Sequence, residues 1–426
     1  MPIEEVKNVC FVGAGTMGCY NSLISSLAGY KVTLYDISEQ ALENAPQYQL
    51  NWAPILEERE IADHNAIEAA AARINRTTDP EEAAQGADLL SESVFERLDL
   101  KRETHLKFEQ LVPSHAIMTT NTSTLLLSDI ESAVERGDKF AAMHFHQFSP
   151  LVDIVAGPRT TPETIDVIKR FIKSQDQIYV KLKKEKEGYL HNDMFGALLS
   201  TAIMLVVLLK VDFREVDRAW MLNQNSEAGP FFMLDHVGLN LIVDIFENKF
   251  KQEDAVSPQI QDAIKAFLHP YIESGNLGVK TGKGFYSYPD PEFMKPQFLE
   301  GLEENKDLSG PLINSVLASA LALVAEGYAD LEDVDRSWML THNPECGPFG
   351  TIDKIGLDAV RKDLDERALF IEAMLGNPGT VIEATKIATD FLATYIENGN
   401  IGVKAGKGFY SYPDPLYKRP EFLKPV

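Results

Sequence analysis

The chain has 426 residues, of which 45% are hydrophobic and 24% charged, with a formal net charge of −24. That length allows roughly two or three domains, each with its own core, and the composition is that of a soluble globular protein without low-complexity tracts. The negative charge disfavours non-specific binding to nucleic acid or to an anionic membrane, because both need clustered Lys and Arg.

No basic region followed by an apolar run opens the chain, so no secretory signal is expected. Cys10, Cys19 and Cys346 lack metal spacing and read as small apolar packers in a reducing, cytoplasmic compartment. The first 180 or so residues alternate β-type runs, "NVCFVGAG", "KVTLYDIS", "ADLLSES", "AIMTTNTS", "FAAMHFH" and "QIYVKL", with amphipathic or polar stretches. Such alternation predicts an α/β Rossmann-type N-terminal domain with a mostly parallel sheet.

"VCFVGAGTMG" places Gly13, Gly15 and Gly18, with Thr16 and Met17 between the last two, after a strand and at the start of a helix. Gly13 permits a tight turn, Gly15 lets the backbone approach a pyrophosphate and Gly18 lets helix and strand pack closely. The helix N-terminus offers free N–H groups and a partial positive charge to phosphates. Asp36 follows Gly18 by 18 residues and is placed to accept bonds from ribose hydroxyls. A carboxylate there repels a 2′-phosphate, so NAD is favoured over NADP. FAD uses the same fingerprint, but nothing else in the chain suggests a flavin domain, and the plain alternative is a βαβ unit with an incidental glycine turn.

Further along, "SESVFERLDLK" holds Glu96 and Lys101, which also fit a solvated helix start. Ser123 in "NTST" fits a helix cap. In "HFHQFSPLVDIVAGPRT", His144 and His146 fall on one face if the strand is extended. A metal held by these two histidines is a weak alternative, since no third ligand stands at fixed spacing.

After "KLKKEKEG" the β pattern stops, which puts a domain boundary near Lys184. The uncharged run Met194 to Leu209 is short for a membrane span and reads as a buried central helix. "EVDRAWMLNQNSEAGPFFMLDHVGL" from Glu215 recurs as "DVDRSWMLTHNPECGPFGTIDKIGL" from Asp333, and "YIESGNLGVKTGKGFYSYPDP" from Tyr271 as "YIENGNIGVKAGKGFYSYPDP" from Tyr395. Two homologous all-α domains therefore follow, giving expected bounds of 1–184, 185–302 and 303–426. Residues kept in both copies, such as Lys283 with Lys407 and Trp220 with Trp338, read as structural, because one N-terminal domain can complete only one active site.

The glycine turn, "SESVFERLDLK", "TTNTSTL", the His144 stretch, "GYLHNDMFGALL" and "GVKTGKGFYSYPD" stand in the order of the L-3-hydroxyacyl-CoA dehydrogenase family, which this chain resembles. The resemblance implies an NAD-dependent oxidation of a 3-hydroxyl, a place in fatty-acid metabolism, and roles for matching residues. Glu96 and Lys101 match the pair beside the nicotinamide ribose, Ser123 the serine that binds the reacting oxygen, and Asn192 the asparagine that completes the catalytic group. His144, 21 residues after Ser123, matches the general base, with His146 a possible substrate contact.

The family's glutamate partner lies 12 residues beyond the histidine, and that count lands on Ala156. Aligning instead on the glycine turn that follows makes Asp153 the partner, with three residues missing and a shorter acid; a plain strand-end charge is the other reading of Asp153. No lysine lies between Lys31 and Lys101, which weakens the case for a coenzyme A ester and keeps a small hydroxy acid open. A non-catalytic NAD-binding relative is the remaining alternative. Family members dimerise through the helical domain, so the duplicated copy is expected to form an intrachain pseudo-dimer.

Overall fold

A computed structural model describes residues 5–146, 149–251, 256–375 and 379–424. The chain divides into two compact units: Met1–Tyr189 with Gly327–Thr341 and Pro420–Val426, and Leu190–Glu326 with His342–Arg419. The division passes through the second helical copy rather than around it.

The first unit is built on eight strands: β1 (Asn8–Val12), β2 (Lys31–Tyr35), β3 (Asn75–Thr77), β4 (Leu89–Glu92), β5 (Ile117–Thr120), β6 (Phe140–Phe145), β7 (Leu151–Ala156) and β8 (Ile178–Lys181). Their order is β3-β2-β1-β4-β5-β6-β7-β8. Every neighbouring pair is parallel except β6 and β7, which run antiparallel through a short connection. The central strands are buried on both faces, which is why they read as continuous apolar runs instead of alternating ones. Phe11, Leu34, Leu89, Ile117, Met143 and Ile154 meet in one core. β3 escaped the sequence reading because "NRT" is polar and three residues long.

Several helices of this unit start at short polar side chains that cap them. Ser38 Oγ accepts from the Ala41 amide at 3.2 Å, and Asp63 Oδ1 from the Ala66 amide at 2.8 Å. The helix Thr16–Leu27 departs from that pattern: Gly15 opens it and supplies no side-chain cap. Its first N–H groups are left for another acceptor.

The second unit is helical. The run Met194–Leu209 becomes the body of the helix His191–Leu209, and the second copy begins with Lys306–Ala325. Both are long and apolar enough to cross a membrane by length and composition. Here they pack along each other, burying Met194, Leu198 and Ala202 on one and Leu312, Val316 and Ala320 on the other. Ser319 Oγ donates to Asp193 Oδ2 at 2.8 Å from the second copy to the first.

Each copy closes with the same hairpin around one buried aspartate. The Phe285 and Tyr286 amides and the Tyr288 hydroxyl donate to Asp235 at 2.8, 2.9 and 2.8 Å. The Phe409 and Tyr410 amides and the Tyr412 hydroxyl donate to Asp353 at 2.8, 2.9 and 2.9 Å. A Cβ at Gly284 or Gly408 would stand 1.9 Å from the same carboxylate oxygen in its copy, so glycine is required at both. Lys283 and Lys407 serve these hairpins through their carbonyls, which accept from Gly278 and Gly402 at 2.8 and 2.9 Å. Trp220 and Trp338 are buried. The repeated residues hold the fold.

Candidate active site

β6 and β7 lie in a register that sets His144 directly opposite Asp153 and Ala156 opposite Ala141. A residue across from its partner on an antiparallel pair brings side chains within contact, so Asp153 reaches His144 and Ala156 does not. His144 Nδ1 stands 3.0 Å from Asp153 Oδ2, and His146 Nε2 stands 2.6 Å from the same oxygen. The two imidazoles pack edge to face at 4.4 Å, as expected for residues two apart on a strand. Asp153 Oδ1 is buried and has no partner, and His144 Nε2 makes no hydrogen bond among the described residues. The Tyr189 ring lies 5.3 Å from His144 and its buried hydroxyl has no partner among the described residues.

The electrostatics of this group favour one charged acid and one neutral imidazole. Burial opposes charge on Asp153, but the charge of His146 and the bonds from both rings outweigh it and hold the carboxyl well below its usual range. Burial, with the neighbouring His146, pushes His144 down, and the bond to Asp153 opposes that shift only in part. His144 is thus a free base near neutral pH. The three donor atoms also lie within 4.8 Å of one another, a set able to hold a divalent cation, with Asp153 as the third ligand that spacing alone did not reveal.

At the end of β4 stands a second buried group, centred on Glu92. Lys101 Nζ donates to Glu92 Oε1 at 2.7 Å and to the Val94 carbonyl at 3.4 Å, and pairs with Glu96 Oε2 at 3.3 Å. All three ammonium protons are engaged, and Lys101 is 1% exposed. Thr120 Oγ1 and His105 Nε2 reach the other Glu92 oxygen at 2.7 and 3.3 Å. Burial works against the Glu92 charge, yet His105 and Lys101 lower it to about 2. Glu92 carries no motif signature, and only the strand-end contacts reveal it.

Glu96 organises the "NTST" turn. Its Oε1 accepts from Thr122 Oγ1 at 2.6 Å, the Ser123 amide at 2.8 Å and the Thr124 amide at 2.9 Å. The Ser123 amide is therefore tied down while its hydroxyl makes no hydrogen bond among the described residues. Lys101 faces inward, and Glu96 is the member of that pair with a third of its side chain exposed.

The glycine turn fits a dinucleotide. Gly13 has φ +107° and a Cβ there would lie 2.7 Å from the Ser93 carbonyl, while a Cβ at Gly18 would lie 1.7 Å from the Gly13 carbonyl. Those two glycines close the turn. Around Gly15 nothing lies within 4 Å of an added Cβ, so the open side faces outward next to the uncapped N–H groups at Thr16 and Met17. Asp36 Oδ2 accepts from the Ala14 amide at 2.7 Å and Oδ1 from the Ser38 amide at 2.9 Å, fixing the carboxylate beside the turn. Backbone donors at an uncapped helix N-terminus match a pyrophosphate, and an acid at the end of β2 matches a ribose. Asn192 opens the helix His191–Leu209 in the second unit, where its Oδ1 lies 3.1 Å from His191 Nδ1.

The model for the 3-hydroxyacyl-CoA dehydrogenase NAD binding domain matches residues 8–185, and that for the C-terminal domain matches twice, at 188–288 and 311–412. The chain belongs to the 3-hydroxyacyl-CoA dehydrogenase family. It is an NAD-dependent oxidoreductase of that family with a duplicated C-terminal domain. It is 28% identical over 291 residues to human mitochondrial hydroxyacyl-coenzyme A dehydrogenase, covering 66% of this chain and 91% of that protein. A diketoreductase of solved structure, described as acting on dicarbonyl compounds, is 33% identical, with a TM-score of 0.59 over 67% of this chain and all of that one. The 3-hydroxybutyryl-CoA dehydrogenase of Escherichia coli K12 shares the fold with a TM-score of 0.74, at 18% identity over 89% of this chain and 98% of that one.

Proposed function

We propose that this member of the family interconverts a 3-hydroxy compound and its 3-keto form, with His144 as the proton-transfer residue. The observation that carries the reading is the 3.0 Å contact between His144 Nδ1 and Asp153 Oδ2, which leaves Nε2 to the substrate. In the oxidising direction Nε2 accepts the hydroxyl proton, and Asp153 stabilises the imidazolium that forms and fixes the ring tautomer. In the reducing direction the same nitrogen returns the proton.

Ser123 donates its hydroxyl to the reacting oxygen, and Asn192 supplies an amide to the substrate. NAD, when bound, supplies the hydride acceptor. Gly13, Gly15, Thr16, Met17 and Gly18 hold its pyrophosphate, Asp36 the adenosine ribose and Glu96 the nicotinamide ribose, with Lys101 acting by fixing Glu96. The second helical copy substitutes for a partner subunit by packing Lys306–Ala325 on His191–Leu209, which predicts a monomer in sedimentation.

A second reading concerns the substrate: a small dicarbonyl or hydroxy acid without coenzyme A. Its support is the lack of any lysine from residue 32 to residue 100. Three of the four arginines there do not replace them, for Arg73 and Arg76 donate inward to the Ser26 and Ala71 carbonyls at 2.8 Å each and Arg97 pairs with Asp99, which leaves the exposed Arg59. Phosphate groups of a coenzyme A therefore find little fixed positive charge in that region. The likeness to the diketoreductase points the same way.

The test is NADH oxidation with acetoacetyl-CoA, free acetoacetate and a dicarbonyl ester in parallel, with His144→Ala alongside. Histidine-dependent turnover of the thioester alone would assign a coenzyme A substrate, and turnover of the other two the small-substrate reading. NADH binding without turnover of any would make the chain a non-catalytic relative.

A further inference from the structure

In the second unit Asn192 is the end of a chain of three side chains. His342 Nε2 stands 3.1 Å from His191 Nε2, and His191 Nδ1 stands 3.1 Å from Asn192 Oδ1. Phe195 stacks on His191 at 5.2 Å, and the planes of the two imidazoles lie 26° apart.

The repeat shows that the fold does not require this contact. "GYLHN" at 188–192 recurs as "GPLIN" at 310–314, so Ile313 stands in the second copy where His191 stands in the first. "MLNQN" at 221–225 recurs as "MLTHN" at 339–343, so His342 replaces Gln224, which instead donates to its neighbour Asn223 at 2.6 Å. A pair needed for packing would recur with the packing. Here each histidine exists in one copy only, and the two meet.

We propose that His342, contributed by the second copy, is a positioning residue that orients the Asn192 amide through His191. This rests on the reading of Asn192 as a substrate-contacting residue. The proton arrangement follows from the acceptors. Asn192 Oδ1 can only accept, so His191 carries its proton on Nδ1 and its Nε2 is bare. His342 must then donate from Nε2, and it is neutral to do so, because burial lowers it to about 4. With Oδ1 tied back to His191, the NH₂ of Asn192 is turned away from the chain and presents a donor to a keto or hydroxyl oxygen. Without the chain the amide can flip and offer an acceptor instead. The duplicated copy then contributes a residue to catalysis as well as a packing surface.

The test uses the full-length protein and the compound that turns over fastest among acetoacetyl-CoA, acetoacetate and the dicarbonyl ester. Loss of one neutral hydrogen bond predicts that His342→Leu lowers kcat roughly tenfold, with KM for NADH unchanged. His342→Gln, which keeps a donor, restores most of the loss, and in an Asn192→Ala background His342→Leu has no further effect. Side-chain ¹⁵N NMR of the wild type reads His342 as the Nε2–H tautomer and His191 as the Nδ1–H tautomer.

An unchanged kcat in His342→Leu, an equal loss in the Asn192→Ala background, or the reverse tautomers would overturn the proposal. Asn192→Ala with undiminished turnover would overturn the role of Asn192 itself. That outcome is distinguishable, because the tautomers would still be as stated. If no compound turns over, the NMR tautomers alone decide whether the chain exists.

Discussion

The two helical copies agree where they hold a hairpin and disagree in the residues that surround Asn192. Asp235 and Asp353 accept the same three donors at nearly the same distances, and both carboxyls are raised by burial and pulled back by those bonds. At His191 and Ile313, and at Gln224 and His342, the copies have parted. The sheet of the first unit is not repeated along the sequence, so its buried His144 and Asp153 have no second copy. At the hairpins repetition marks residues that every copy needs in order to fold; Asn192 also recurs, as Asn314, and what occurs once is the pair of histidines beside it.

His144→Ala should have the largest effect, lowering kcat by roughly 10²- to 10⁴-fold without changing the urea midpoint much or the affinity for NADH measured by fluorescence. Loss of NADH binding along with turnover would break the separation of fold from chemistry. Next come Asp235→Ala and Asp353→Ala. Each strands two backbone N–H groups, so each should cost about 2–5 kcal/mol in urea unfolding, equally in the two copies and with kcat of the surviving folded fraction intact. Unequal costs would show that the hairpins are not equivalent.

The pH dependence sharpens the same contrast. His144 is lowered from its ordinary value of 6.5, and the oxidation needs it unprotonated, so the acid limb of the rate should lie below pH 6.5. The bond to Asp153 raises His144, so Asp153→Asn should move that limb further down while reducing the maximum rate. His342 is likewise lowered, to about 4. The unfolded chain takes up its proton first, so the stability that depends on neutral His342 is present above 6.5 and lost as pH falls towards 4. His342→Leu should flatten stability in that window. The smallest effect belongs to Gln224→Leu, expected within ~0.5 kcal/mol in stability and without effect on kcat, against the loss expected at His342.

Much of the site was legible because it depends on spacing along one segment. Gly13, Gly15, Gly18 and Asp36 form a local turn between two adjacent strands, where Gly13 and Gly18 make the close approaches their spacing suggested and Asp36 is fixed beside the turn. Where the site depends on a neighbouring segment, the chain alone left choices open. Counting from His144 pointed to Ala156, while matching the glycine turn, the preferred reading because it keeps the strand and turn as a unit, pointed to Asp153; the register of β6 on β7 sets Asp153 opposite His144. Lys101 was read as a residue beside the cofactor, yet its ammonium is spent on Glu92, Glu96 and the Val94 carbonyl. Glu92 itself passed as the last residue of a strand. Its partners Thr120 and His105 come from other elements and share no pattern with it.

The amino-acid sequence by itself determined the α/β domain, the duplicated helical copies, the dinucleotide turn and the family, because periodicity, glycine spacing and repetition are properties of the chain taken in order. Tertiary structure alone decided that His146 shares the Asp153 oxygen with His144, that Lys101 turns inward and that His342 reaches His191. Those are contacts between residues far apart along the chain or across a strand pair. A one-residue change of register would send every side chain of a strand to the other face, and nothing local in the sequence states which register the packed core will choose.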